Sequence, residues 1–110
     1  MQFELWENEK GESYVGDFIR KQTDEIALKI LIRLEDLQKY EFSVLFRKQT
    51  VKKITKEIYE IRLKINGDAY RFLFVIRSNT GIILEAFKKK SSKTPKRNIK
   101  NAKNRISQLY

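Results

Sequence analysis

Apolar residues follow two different periods along this chain, and the switch between them sets the expected elements. Gln2 to Glu7 alternates, with Phe3 and Leu5 on one face and Trp6 on the other, which predicts a short strand. After Lys10-Gly11 the period lengthens. Ser13 is placed to cap a helix carrying Tyr14, Val15, Phe18 and Ile19, and Thr23 followed by Asp24-Glu25 starts a second, running to about Tyr40 with Ile26, Ile30, Leu34 and Leu37 as its stripe. Phe42 to Lys56 mixes apolar Val44, Leu45 and Phe46 with basic Arg47, Lys48, Lys52 and Lys53, and reads as a basic connection holding at most a helical turn.

From Glu57 alternation returns. Tyr59, Ile61, Leu63 and Ile65 form one face of a strand, and Glu60, Arg62 and Lys64 the other. Asn66-Gly67 is a strong two-residue hairpin signal, because both central positions of a type I′ turn need positive φ. Ala69 to Arg77 should fold back, Ser78 to Gly81 should turn again, and Gly81 to Phe87 should return as a third antiparallel strand. Thr94-Pro95 offers an N-cap and a proline at the first helical position of a C-terminal helix with Ile99, Ala102, Ile106 and Leu109 in a narrow stripe. No internal repeat is visible. The expected class is α+β, with an N-terminal strand and helical pair packed on an antiparallel sheet and a basic C-terminal helix.

Composition narrows the chemistry. At 110 residues, 41% of them hydrophobic, the chain has the content of one folded domain, 1–110, and not of a disordered basic tail. It has neither Cys nor His, which excludes thiol nucleophiles, histidine acid/base chemistry and soft-ligand zinc sites. Its carboxylates are not clustered as a metal site requires, and Gly11, Gly16, Gly67 and Gly81 are too scattered to cradle a phosphate cofactor, so no cofactor or metal is expected. An acidic N-terminus and the lack of an apolar run near the ~20 residues of a membrane span point to the cytoplasm.

Charge is distributed unevenly. Residues 1–41 hold ten acids against six bases, whereas 42–110 hold eighteen bases against four acids. From Lys88 to Tyr110 there are nine bases and no acid. A basic surface of this extent attracts a polyanion by counterion release. RNA, DNA and an anionic membrane all qualify on charge, but the last helix lacks the Trp or Phe of a membrane-surface helix.

The hairpin register sharpens this. A loop of Asn66-Gly67 sets Leu63 opposite Tyr70, Ile61 opposite Phe72 and Tyr59 opposite Phe74, and on the other face sets Arg62 directly opposite Arg71. Like charges so placed are destabilising by a few tenths to about 1 kcal/mol. If the next turn closes around Asn79-Thr80 or Thr80-Gly81, Lys88 or Lys90 joins the row, with Glu60 and Lys64 as diagonal neighbours. Such a row suits a phosphate. In the alternative, Arg62 pairs with Glu60 or Glu85 and the row is structural. Glu85 has the parity of the aromatic face, which suggests a place near the end of the sheet.

Tyr59-Glu60-Ile61-Arg62, Tyr70-Arg71, Phe87 followed by Lys89-Lys90, Lys93-Thr94-Pro95, Ile99 and Ala102 together resemble the HigB-like, phage-derived branch of the RelE/ParE toxins of type II toxin–antitoxin systems, over roughly residues 14–110. The resemblance implies a RelE-like fold, cleavage of messenger RNA in the ribosomal A site, and a cognate antitoxin, expected to be a helix-turn-helix protein. It carries Arg62, Arg71, Lys89 and Lys90 over as the basic site, with Lys88 in a variable slot. Some relatives use His or a C-terminal Tyr as acid or base, and this chain has no His. Arg62 and Arg71 are therefore the expected phosphate ligands, Lys90 or Lys88 the expected acid or base with a lowered pKa, and Glu60 a rival base. Lys52, Lys53, Lys88, Lys89, Lys93, Lys96, Arg97, Lys100 and Lys103 are the expected RNA-binding residues. The competing functions are a non-catalytic RNA- or ribosome-binding module and a ParE-type gyrase inhibitor.

Overall fold

The computed structural model describes residues 1–90 and 92–109. The chain forms β1 (Gln2–Leu5), α1 (Tyr14–Arg20), α2 (Asp24–Leu37), α3 (Phe42–Arg47), β2 (Val51–Lys53), β3 (Tyr59–Ile65), β4 (Asp68–Arg77), β5 (Thr80–Lys88) and α4 (Lys96–Ile106). The class is α+β, as expected. The sheet has five strands in the order β1-β5-β4-β3-β2, and it is mixed, because β1 lies parallel to β5 while the other pairs are antiparallel.

Both N-terminal helices are capped as their sequences suggest. Ser13 Oγ accepts from the Gly16 amide and Thr23 Oγ1 from the Ile26 amide, satisfying donors that the first turn leaves free. Their stripes, with Val15, Ile19, Ile30, Leu34 and Leu37 buried, pack with Leu45 of α3 on one sheet face against Ile61, Leu63, Phe72 and Phe74. The opposite face, formed by Leu73, Val75, Leu84 and Phe87, is covered by α4 through Ala102, Ile99 and Ile106. Trp6 joins this second layer and Phe3 the first, as the alternation in β1 requires.

Three expectations are corrected. The supposed basic connection resolves into α3 and the edge strand β2, since Leu45 and Val51 bury themselves in the first core layer and pull the segment into order. The β4–β5 loop is Ser78-Asn79, both at positive φ (50° and 62°), so Arg77 pairs with Thr80. A β-bulge then shifts the ladder: Phe74 pairs with Ile83 but Leu73 with Glu85, leaving Leu84 as the extra residue. One inserted residue reverses the side-chain parity of everything beyond it.

The bulge explains Glu85. Its side chain is fully buried, on the α4 side and away from the aromatic face, and α4 is anchored on it. Asn98 and Asn101 donate to Oε2 at 3.2 and 2.9 Å, while Arg105 Nη1 lies 3.1 Å from Oε1 and donates to the Leu84 carbonyl at 2.7 Å. The Arg105 guanidinium also sits 4.2 Å from the Tyr14 ring centroid. A base of the C-terminal segment is thereby spent on holding the helix in place.

Candidate functional site

The β3–β4 register is as the turn implies. Asn66 and Gly67 have φ of 51° and 86°, and Arg62 stands directly opposite Arg71. Both lie on the α4 face of the sheet, beyond the residues that α4 covers. Between them, from β3, comes Glu60. Its Oε1 is 3.6 Å from Arg62 Nε and 3.4 Å from Arg71 Nε, and its side chain is only 3% exposed, against 29% for Arg62 and 11% for Arg71. One carboxylate therefore opposes two guanidiniums, and the Arg62–Glu60 pairing expected of the purely structural alternative coexists with the cation row.

Neither Nε makes a hydrogen bond, and among the described residues these two are the buried side-chain donors left without one. Arg71 Nη1 reaches the carbonyl of Tyr70 at 3.3 Å, a long contact. Unpaired buried donors cost free energy, and loose geometry of this kind is common in a site that tightens when its ligand arrives. Burial, and secondarily Arg62, lower the pKa of Arg71 against the opposing pull of Glu60; an arginine so perturbed still carries its charge at physiological pH.

Thr94 takes a part that the sequence does not signal. The N-cap of α4 is Pro95, without a side-chain cap bond, and the helix starts at Lys96, one residue later than Thr94-Pro95 suggests. The Thr94 hydroxyl instead donates to Glu60 Oε2 at 2.6 Å, tying the lead-in of α4 to the carboxylate beneath the arginines.

The bulge changes which lysine completes the row. Phe87, not Lys88 or Lys90, stands opposite Arg71. Lys88 stands opposite Tyr70 on the other face, 3.1 Å from Asp68, whose hydrogen bond and charge raise its pKa and do not lower it. Lys90 is exposed beyond the end of β5. Lys89 is the lysine that shares the face of Arg71, its amide still extending the ladder through a 2.8 Å bond to Ala69 O. Its pKa is lowered, first by burial, then by Arg71, Arg62 and Lys52, with Glu60 opposing. Lys52, opposite Glu60 on β2, thus belongs to the same field, whereas Lys53 stands opposite Tyr59 and takes the other face by parity.

Lys93, Lys96, Arg97, Lys100 and Lys103 are exposed along α4 and the segment before it. The spacing of Lys96, Lys100 and Lys103 puts them on the side of the helix away from buried Asn98 and Ala102. The arrangement combines a floor of two opposed arginines, a lysine with a lowered pKa and a basic approach, features that suit a phosphodiester at the centre and flanking phosphates on the helix. A model of the phage-derived protein Gp49-like family (DUF891) matches residues 17–107. The chain belongs to the Gp49-like family. This family lies within the RelE/ParE-like toxin group, and its match includes every residue of the cluster from Lys52 to Thr94. No curated protein matches the chain. Among the described residues no helix is long and apolar enough to cross a membrane.

Proposed function

We propose that this Gp49-like protein is a HigB-like toxin of a type II toxin–antitoxin pair, and that it cleaves messenger RNA in the ribosomal A site. The observation that carries the reading is the opposition of Arg62 and Arg71 over buried Glu60, an arrangement costly to a sheet and suited to a phosphate. The expected partners are messenger RNA, the ribosome and a cognate antitoxin.

In the proposed reaction the 2′-hydroxyl attacks the adjacent phosphorus. The O2′–P bond forms, the P–O5′ bond breaks, and the products are a 2′,3′-cyclic phosphate and a 5′-hydroxyl. Arg62 and Arg71 bind the non-bridging oxygens, where negative charge accumulates in the transition state. Glu60 is too enclosed to touch RNA and acts as a positioning residue, holding both guanidiniums by their Nε sides, with Thr94 fixing its second oxygen. Lys89 replaces Lys90 and Lys88 as the proton-transfer group. Its ammonium, made more acidic by its surroundings, protonates O5′, and the 2′-hydroxyl proton passes to water.

The test is purified protein added to ribosomes programmed with end-labelled messenger RNA. Fragments ending in 2′,3′-cyclic phosphate support the reading. Intact RNA bound to protein would indicate a binding module, and DNA breaks with gyrase would indicate the ParE-type activity.

A further inference from the structure

Beside the cation cluster, α3 and β2 border an open cavity of about 460 Å³ lined by Phe46, Arg47, Gln49, Val51, Lys52 and Arg62. Arg62 and Lys52 belong to both places. Phe46 is 45% exposed, yet its ring is held firmly, stacked on Phe42 at 5.8 Å and 29° and set edge-on to Tyr59 at 6.5 Å. The wall behind it is also anchored, since the Arg62 amide donates to Thr50 O at 2.8 Å. A preset aromatic face, half in water and flanked by cations, gains nothing for the core from its exposed half.

We propose that this cavity is a subsite for one unstacked nucleobase of single-stranded RNA. The base lies on the outer ring of the Phe46–Phe42 stack, and its sugar-phosphate leads onto Arg62 and Lys52. Stacking on an aromatic ring accepts any base, while the Gln49 amide, with both donor and acceptor, is available to the base edge. The cavity falls within the roughly 300–1,000 Å³ of ordinary ligand sites. The inference rests on the RNA-cleaving reading and extends it by naming how the nucleotide next to the reacting phosphate is held.

The probe is a 2′-O-methyl RNA oligomer, which cannot undergo 2′-OH attack, carrying a single 2-aminopurine at successive positions. It is titrated with protein alone and bound to ribosomes. Wild type should quench 2-aminopurine at one position. Phe46→Leu should lose the quenching and bind about tenfold more weakly, the scale of removing one base–aromatic stack. Phe46→Trp should retain both, which separates stacking from loss of fold. Equal affinity and quenching in wild type and Phe46→Leu would overturn the subsite and leave the cleavage reading intact. So would a Phe46→Leu defect confined to binding a protein partner. If wild type binds neither the oligomer nor the programmed ribosome, the RNA reading itself fails and the subsite with it.

Discussion

Glu60→Gln keeps the shape of the side chain and an acceptor for Thr94, but removes the negative charge lying 3.4 and 3.6 Å from two guanidiniums. Removing one partner of a buried ion pair costs about 3–5 kcal/mol. Arg62 retains 29% exposure and part of its hydration, so a smaller cost, about 2–3 kcal/mol, is expected here. At about 4–8 °C per kcal/mol for a domain near this size, the melting temperature should fall by roughly 10–20 °C. Arg71→Ala in the natural background removes both a repulsion and an attraction, and should change stability by less than about 1 kcal/mol. In the Glu60→Gln background only the repulsion is left to remove, so the same alanine should recover about 1 kcal/mol. Urea denaturation of the four proteins closes the double-mutant cycle. A glutamine variant that melts within a few degrees of wild type, or an Arg71→Ala effect identical in both backgrounds, would refute the shared-carboxylate account.

Three further outcomes are expected. Lys89 has a lowered pKa, so at alkaline pH the unfolded chain holds its proton longer than the folded one, and stability should rise with pH between the folded and the ordinary lysine values. Cleavage should fall over the same window as the acid is lost, and Lys89→Arg, which keeps its proton, should lower the rate and abolish that limb in a pH–rate profile. Arg105→Ala leaves Glu85 buried without its cation and should cost about 3 kcal/mol in chemical denaturation, with little change in cleavage at temperatures where the variant is folded. Replacing Lys96, Arg97, Lys100 and Lys103 by glutamine should flatten the salt dependence of RNA or ribosome binding, by about 0.7 in log–log slope for each phosphate of single-stranded RNA that is no longer neutralised; an unchanged slope would place α4 away from the ligand.

The helices α1, α2 and α4, the β3–β4 hairpin and the opposition of Arg62 to Arg71 were legible because they depend on local signals: caps, periodicity and a turn dipeptide with one dominant geometry. The lysine was not legible from the turn, because a bulge depends on tertiary packing. Its one trace in the sequence was Glu85, an acid whose expected parity put it among aromatic side chains, and the conflict marked a register shift and not the end of the sheet. Thr94 was hidden by its own suitability as a cap. Its hydroxyl gains more from the buried Glu60 carboxylate, 34 residues away in sequence, than from a helix amide. The order of α3 and β2 was hidden among cations because only Leu45 and Val51 there are buried deeply.

The most direct measurement of the central claim is a map of new RNA 5′ ends after brief induction of wild type and Arg71→Ala at equal protein level. The account predicts 5′-hydroxyl ends within coding sequences for wild type, reduced about a hundredfold or more by Arg71→Ala, the scale of losing one transition-state donor. Arg71→Lys, which keeps the charge without the fork, should recover only part of the signal. Wild-type induction without new ends, or an alanine variant that cuts as well as wild type, would contradict it.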